Sequence, residues 1–560
     1  MRLTLTTRFT RKIRADRPSV STKRYPWAAP GDVNAFFGLI LDNIADLVLT
    51  VGMLAAAFEF PTTFALQYMV PGTAIGVMVG DLLFFGMALA LARRTGRNDV
   101  TAMPLGLDTP STIGMVLFVL GPSYVYATTE LGLAGDAAAR YTWHIGICSI
   151  FLSGLFKIAC AFGSGLIRRL IPRAGLLGSL TAIALVLISF LPLLDVMHYP
   201  LVGMVSLAII LATLVAQIPL PGRIPGALGA LVVASAIYYV MKGTGLLHPE
   251  PVGLNPAEGL MPVGWLEVFR FEWLASMGDS LHYLPIVIPF ALGTVVGGID
   301  CTESAAAAGD EFDTRKVIGV EGFATLVAAI CGGVIQTTPY IGHPAYKAMG
   351  GRSAYTLATA IFVGSAGLLG FFGYMYLVIP KAAIFTILIF IGLEITAQSF
   401  QATPRRHYAA VALACVPAMA KLVVIYTSSV LSQLGKSIED LDVLLAQQLQ
   451  TMQMLAGGFI VTSLLWGSAM ASLIDQRLKM ASAFFAIAGL FSLFGIIHSP
   501  FASERLVVPW NLPQELPELA AGQTPFFMAS AYMTVALMLF VWGHYVKPGK
   551  SRYDDAETSA

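Results

Sequence analysis

Apolar runs of about 20 residues, each long enough to cross a roughly 30 Å hydrocarbon core as a helix, recur along the whole 560-residue chain. They fall near 34–57, 66–92, 102–120, 143–163, 177–193, 200–217, 224–241 and 276–299. They continue near 317–334, 338–351, 354–376, 381–399, 407–427, 453–473, 481–497 and 524–545. Only 12% of residues are charged and 56% are hydrophobic, against about 25% charged in soluble domains. The pattern excludes a globular protein in water and predicts an all-α polytopic membrane protein. The formal net charge of +1 gives no field that would attract a nucleic acid. Cys148, Cys160, Cys301, Cys331 and Cys415 all lie in apolar runs without metal-ligand spacing, and are read as small buried residues.

Charge in the connections gives the orientation. Arg93, Arg94, Arg97, Arg168, Arg169, Arg173, Arg223, Arg315, Lys316, Lys347, Arg352, Arg405, Arg406, Arg477 and Lys479 fall on alternate connections. The intervening ones hold few basic residues, chiefly Arg140, Lys242, Arg270, Lys381, Lys436 and Arg505. The positive-inside rule then places both termini in the cytoplasm of a cell membrane. The basic first 33 residues read as a cytoplasmic tail in preference to a secretory signal or a transit peptide, since a full span follows them.

Two runs are interrupted. The third opens TAMPLGLDTPST and the tenth opens QTTPYIGHPAYK, so Pro104, Gly106 and Pro110 recur as Pro339, Gly342 and Pro344, and Asp108 is answered by His343. A pair of broken segments seven apart is the mark of two halves related by an inverted repeat. The boundaries expected are a tail at 1–33, a first repeat at 34–241, and an outer amphipathic connection at 242–275. A second repeat at 276–473, two additional helices at 474–545 and a tail at 546–560 follow. That makes about fourteen segments with broken segments 3 and 10, plus two. The stretch WLEVFRFEWL in the outer connection and IEDLDVLLAQQLQTMQML at 438–455 are expected to form surface helices.

Irregular backbone inside a bilayer must line a cavity or be buried in protein, and a half-helix directs free N–H groups toward it. The ionisable residues near these breaks are therefore the candidate site. Asp108 and Thr109 lie on the third segment, and Thr338, Tyr340 and His343 on the tenth. Asp300 and Glu303, three apart on the eighth segment, share a helix face. Asp42, Asp46 and Asp81 on the first two segments are candidates for coupling or support of the broken helices. Asp310, Glu311 and Asp313 read as a solvated helix end, and Lys157, Lys421 and Glu394 as snorkelling residues or helix–helix ion pairs. No HExxH, GxSxG or Walker-type loop occurs where its mechanism would need it, so no enzyme is expected.

The stretch from Asp300 to Arg352 resembles the xanthine/uracil permease (nucleobase:cation symporter type two) superfamily, especially its hypoxanthine–adenine–guanine branch. Asp300, Glu303 and Ser304 match its carboxylate-x-x-carboxylate-Ser/Thr pattern, and Gly309–Asp310 its following Gly-Asp. Thr337, Thr338 and Tyr340 match its Thr-Thr-x-Tyr, and Gly350 to Ser353 its Gly-Gly-Arg-Ser/Thr. The resemblance implies a core domain moving against a gate domain, a homodimer, and a small-solute cargo carried with a proton or sodium ion. It implies no cofactor. It also implies that Glu303 binds a nucleobase, while Gly342 stands where the family carries a second acidic or amide arm. An anion carrier of the sulfate/bicarbonate type and a transporter-derived sensor are the competing expectations.

Overall fold

The computed structural model describes residues 25–170, 172–247, 256–340, 342–501, 509–510 and 524–545; the N-terminal basic tail up to residue 24 and the tail from 546 lie outside them. The chain forms helices α1 Gly31–Phe58, α2 Thr62–Thr95, α3 Thr109–Thr129, α4 Asp136–Leu170, α5 Arg173–His198, α6 Pro200–Val215 and α7 Gly226–Gly243. There follow α8 Leu284–Ala307, α9 Thr314–Ile330, α10 His343–Ala348, α11 Ala354–Leu369 with its continuation Phe372–Val378, and α12 Lys381–Gln401. The remainder are α13 Tyr408–Gln433, α14 Val443–Ala456 with Phe459–Ile474, α15 Leu478–Leu493 and α16 Thr524–Tyr545. Each apolar run coincides with one of them. Among the described residues ten are long and apolar enough to span a bilayer, or twelve if the two bent pairs, at 96° in α11 and 72° in α14, each count as one. The other four, α6, α9, α10 and α15, are shorter.

The repeat is visible in which helices pack together. The pairs α2–α11, α1–α11, α5–α13 and α5–α14 are matched, seven helices on, by α9–α4, α8–α4, α12–α6 and α12–α7. The pairs α2–α9 and α5–α12 map onto themselves. Seven is odd, so the second half is inverted with respect to the first. The same pairings sort the helices into a core of α1–α4 with α8–α11 and a gate of α5–α7 with α12–α14. Helices α15 and α16 pack on each other and α15 on α14. The Trp466 indole N–H donates to the Tyr532 hydroxyl at 2.8 Å across that junction.

At the core's centre α2 and α9 approach closely because both carry small residues. Gly72, Gly76 and Gly80 form a small-xxx-small stripe on α2. A Cβ on Gly72 would overlap the Cys331 carbonyl and the backbone of Gly332 and Gly333, and one on Gly76 would press on Ala328.

Two expectations are corrected. Pro256–Gly259, Gly264–Arg270 and Glu272–Ser276 are 3₁₀ turns, not one amphipathic helix. Phe271, at φ 57°, breaks the run, and its aromatic neighbours are weak helix formers. Trp265, Val268 and Trp273 still turn inward while Leu266, Phe269 and Leu274 face out. Asp310 is fully buried instead of solvated, for the reason given below.

Gly72→Ala is expected to force α2 and α9 apart and cost about 1–3 kcal/mol, the range for overpacking a dense interior. A thermal melt of the detergent-purified variant measures it; an unchanged midpoint would refute the close approach.

Candidate functional site

Where segments 3 and 10 leave helical geometry they meet. Leu105–Leu107 (β1) and Thr337–Pro339 (β2) pair antiparallel, with Leu105 opposite Pro339, Gly106 opposite Thr338 and Leu107 opposite Thr337. The Tyr340 N–H donates to the Pro104 carbonyl at 2.8 Å, and the Asp108 N–H to that of Gln336 at 3.1 Å. The register is symmetric about the Gly106–Thr338 pair.

Backbone groups facing away from this pairing need other partners, because lipid offers none. The Leu105 N–H donates to Asp81 Oδ1 on α2 at 3.2 Å, and the Leu107 N–H to Asn43 Oδ1 on α1 at 3.0 Å. In the other half the counterpart of Leu105 is Thr337, whose N–H donates to Thr325 Oγ1 on α9 at 3.3 Å. The counterpart of Leu107 is Pro339, which has no N–H to satisfy. Lys157 Nζ on α4 donates to the Thr337 carbonyl at 2.9 Å, and Ser153 Oγ to Gln336 Oε1 at 2.6 Å.

Asp108 caps α3, its Oδ2 accepting from the Ser111 N–H at 3.0 Å, and Thr109 Oγ1 donates to Asp46 Oδ2 at 3.0 Å. Asp42 Oδ2 would lie 3.5 Å from a Cβ placed on Gly106, so the missing side chain there lets α1 come up against β1. Asp42, Asp46 and Asp108 thus surround the first half of the crossing, all buried. On the second half Thr338 and Tyr340 are half-buried, and the Tyr340 and Tyr346 rings stack with centroids 6.1 Å apart. A Cβ on Gly342 would lie 2.5 Å from the Tyr340 ring. The Tyr340 ring occupies the space that a side chain at 342 would need, which explains the glycine.

The register revises the internal comparison made from the sequence. The counterpart of Asp108 in the other half is Tyr340, and the residue that stands at the start of α10 where Asp108 stands on α3 is Gly342; neither is His343. His343 is buried, with Nε2 3.2 Å from both Asp310 Oδ2 and the Thr101 carbonyl oxygen. Asp310 also pairs with Lys347 at 2.7 Å and Arg97 at 3.2 Å, and accepts the Thr101 N–H at 3.0 Å. It therefore ties the α8–α9 loop to the α2–β1 loop and to α10, which is why it is buried. Glu303 is partly exposed and pairs with Arg173 of α5 at 2.8 Å, bridging core and gate at the membrane face where α1 begins. Asp300 is half-buried nearby on α8.

Lys157 is fully buried and pairs with Glu321 of α9 at 2.9 Å, also fully buried. Lys421 sits over the Phe118 ring at 4.4 Å, and Glu394 accepts from Gln398 at 2.7 Å. Glu321 was missed by the sequence reading. The signal was present: it is the lone acid inside the run VIGVEGFATLV.

No family model matches this chain, and no curated protein matches it by sequence. Among solved structures it is similar to the transmembrane domain of a cyanobacterium bicarbonate transporter, BicA, at 15% identity and TM-score 0.44, covering 78% of this chain and 96% of that one. It is similar also to SLC26A9, at 14% identity and TM-score 0.45, over 70% of this chain and 61% of that one. A third is the murine Solute Carrier 26 family member A9 anion transporter in the inward-facing state, at 12% identity and TM-score 0.35, over 72% and 68%. The nucleobase branch finds no support among these comparisons.

Two predictions follow from the hydrogen bonds. Asp81→Ala leaves the Leu105 N–H buried and unpaired, an expected cost of about 1–3 kcal/mol by chemical denaturation in detergent. Burial pushes the Asp310 carboxyl up, but the bonds from His343, Lys347 and Thr101 outweigh this and hold its pKa below the usual value. A depressed folded pKa contributes stability that is present above about pH 4 and is lost as pH falls through the folded value. Asp310→Asn should cost about 3 kcal/mol at neutral pH and flatten the acid limb of a pH-stability curve. An acid limb identical to that of the unsubstituted protein would refute the assignment.

Proposed function

We propose that this chain is a secondary active transporter whose core carries a small solute across a cell membrane by moving against the gate. The observation that supports it is the crossing of β1 and β2: two interrupted segments meeting inside the bilayer, walled by buried carboxylates, with α3 packed against α5 of the gate. Backbone of this kind in a membrane costs several kcal/mol per unpaired group, and a purely structural bundle has no need of it. The basic connections support a cytoplasmic placement of the face that carries Arg97, Arg173 and Lys347.

The cargo we infer is a small anion, such as bicarbonate, sulfate or a short carboxylate, moving with a proton or sodium ion. Two features favour it over a heterocycle. Glu303, the carboxylate a nucleobase would need, is engaged by Arg173, and the second clamp position is Gly342 with the Tyr340 ring over it. Asp42, Asp46 and Asp108 would repel an anion that came alone, so a coupling cation belongs to the same reading. A nucleobase-like heterocycle is the second reading, favoured by the stacking face that Tyr340 and Tyr346 offer.

Proteoliposomes given radiolabelled bicarbonate, sulfate, succinate, uracil and adenine, under inward proton or sodium gradients, separate the readings. Uptake of one of the anions that needs a cation gradient, reduced at least tenfold in Asp108→Asn, is expected. Uptake of uracil or adenine alone would overturn the anion reading. Binding of these solutes without flux through wild-type vesicles would overturn transport in favour of a sensor.

A further inference from the structure

Buried ion pairs are weak contributors to stability, since desolvation offsets their attraction, and apolar residues of equal volume serve as well or better. The Lys157–Glu321 pair lies in the core with both side chains fully buried, yet its surroundings are not those of a closed structural bridge. The lysine pairs with Glu321 Oε1 at 2.9 Å and donates to the Thr337 carbonyl of β2 at 2.9 Å and to Thr325 Oγ1 at 3.5 Å. The carboxylate is open on its other side. Glu321 Oε2 points at α8, 2.8 Å from where a Cβ on Gly298 would stand and towards Thr294 on that helix. Gly298 opens the space into which this oxygen projects, and Pro339 of β2 closes its far side.

We propose that Glu321, with Lys157 as its counter-charge, is the carboxylate that takes up and releases the coupling proton. This rests on the transporter reading. Protonation converts the Glu321 carboxylate to a neutral acid that gains an O–H donor on the α8 side. The lysine keeps its charge, and that charge is then offset by Asp108, which lies within its electrostatic reach. One proton enters and one leaves per cycle, with no other change of bonding. Lys157 also holds the Thr337 carbonyl, so a change in its charge balance acts directly on β2 and on its pairing with β1.

The groups facing Glu321 set its titration. They are Lys157 and Cys160 on α4, Cys301 on α8, and Asp108 at the start of α3. On α2, Asp81 is committed to the Leu105 N–H instead.

The test measures lumenal acidification per mole of solute accumulated, with a pH-sensitive dye and whichever of labelled bicarbonate, sulfate, succinate, uracil or adenine the wild-type vesicles move. A ratio cancels differences in expression and turnover. Glu321→Gln and the apolar double variant Lys157→Met/Glu321→Met should lower it at least tenfold and flatten the pH profile of uptake. Glu321→Asp should restore part of it. An unchanged ratio in Glu321→Gln overturns the proposal. A second readout needs no transport: infrared difference spectra between acid and alkaline pH should contain a carboxylic-acid band in wild type that Glu321→Gln lacks. Identical spectra overturn the proposal. Wild-type vesicles that move none of the five solutes would refute the transporter reading, while the spectra still decide whether Glu321 titrates.

Discussion

The pairing of Leu105–Leu107 with Thr337–Pro339 is the constraint on which the rest of the core depends. Two stretches that abandon the helix inside a bilayer lose their internal hydrogen bonds, and each can recover only part of them from the other. What the strands leave over explains the polar residues around them. Asp81 and Asn43 serve β1, while Thr325 and Lys157 serve β2. Proline at 339 removes the one N–H that the repeat would otherwise have to satisfy a second time. These polar side chains are present because the broken backbone requires them.

The inverted repeat then gives the molecule two bodies. The pairs α2–α11, α5–α13 and α5–α14 each have a mate seven helices away, and the close α2–α9 approach through Gly72 and Gly76 fixes the crossing at the centre of one body. Between the bodies contacts are sparser and include the Arg173–Glu303 pair at one face. A partly exposed ion pair of this kind is worth at most about 1 kcal/mol, so it would form and break readily in the proposed transport.

Much of this was legible in the sequence. The sixteen apolar runs, the two breaks and the half-chain repeat are one-dimensional signals, because span length and helix-breaking residues are local properties. The partners were not. Asp310 sits in a short acidic run that looks solvated, and only the folding of α10 back over it brings His343 and Lys347 to it. The equation of Asp108 with His343 came from spacing alone, and strand register corrected it to Tyr340. Glu321 on α9 is separated from Lys157 on α4 by five helix connections, so their pairing is a fact of topology that no local pattern carries.

The central claim is that the core moves as one body against the gate. It is tested most directly by electron–electron distance measurements between spin labels, with the native cysteines replaced. One pair joins lipid-facing Leu155 on α4 to Val416 on α13, across the two bodies; the other joins Leu155 to Leu82 on α2, within the core. The account predicts two distances for the first pair, whose populations shift with a transmembrane proton or sodium gradient, and one narrow distance for the second. A single fixed distance between Leu155 and Val416 under every gradient would contradict it.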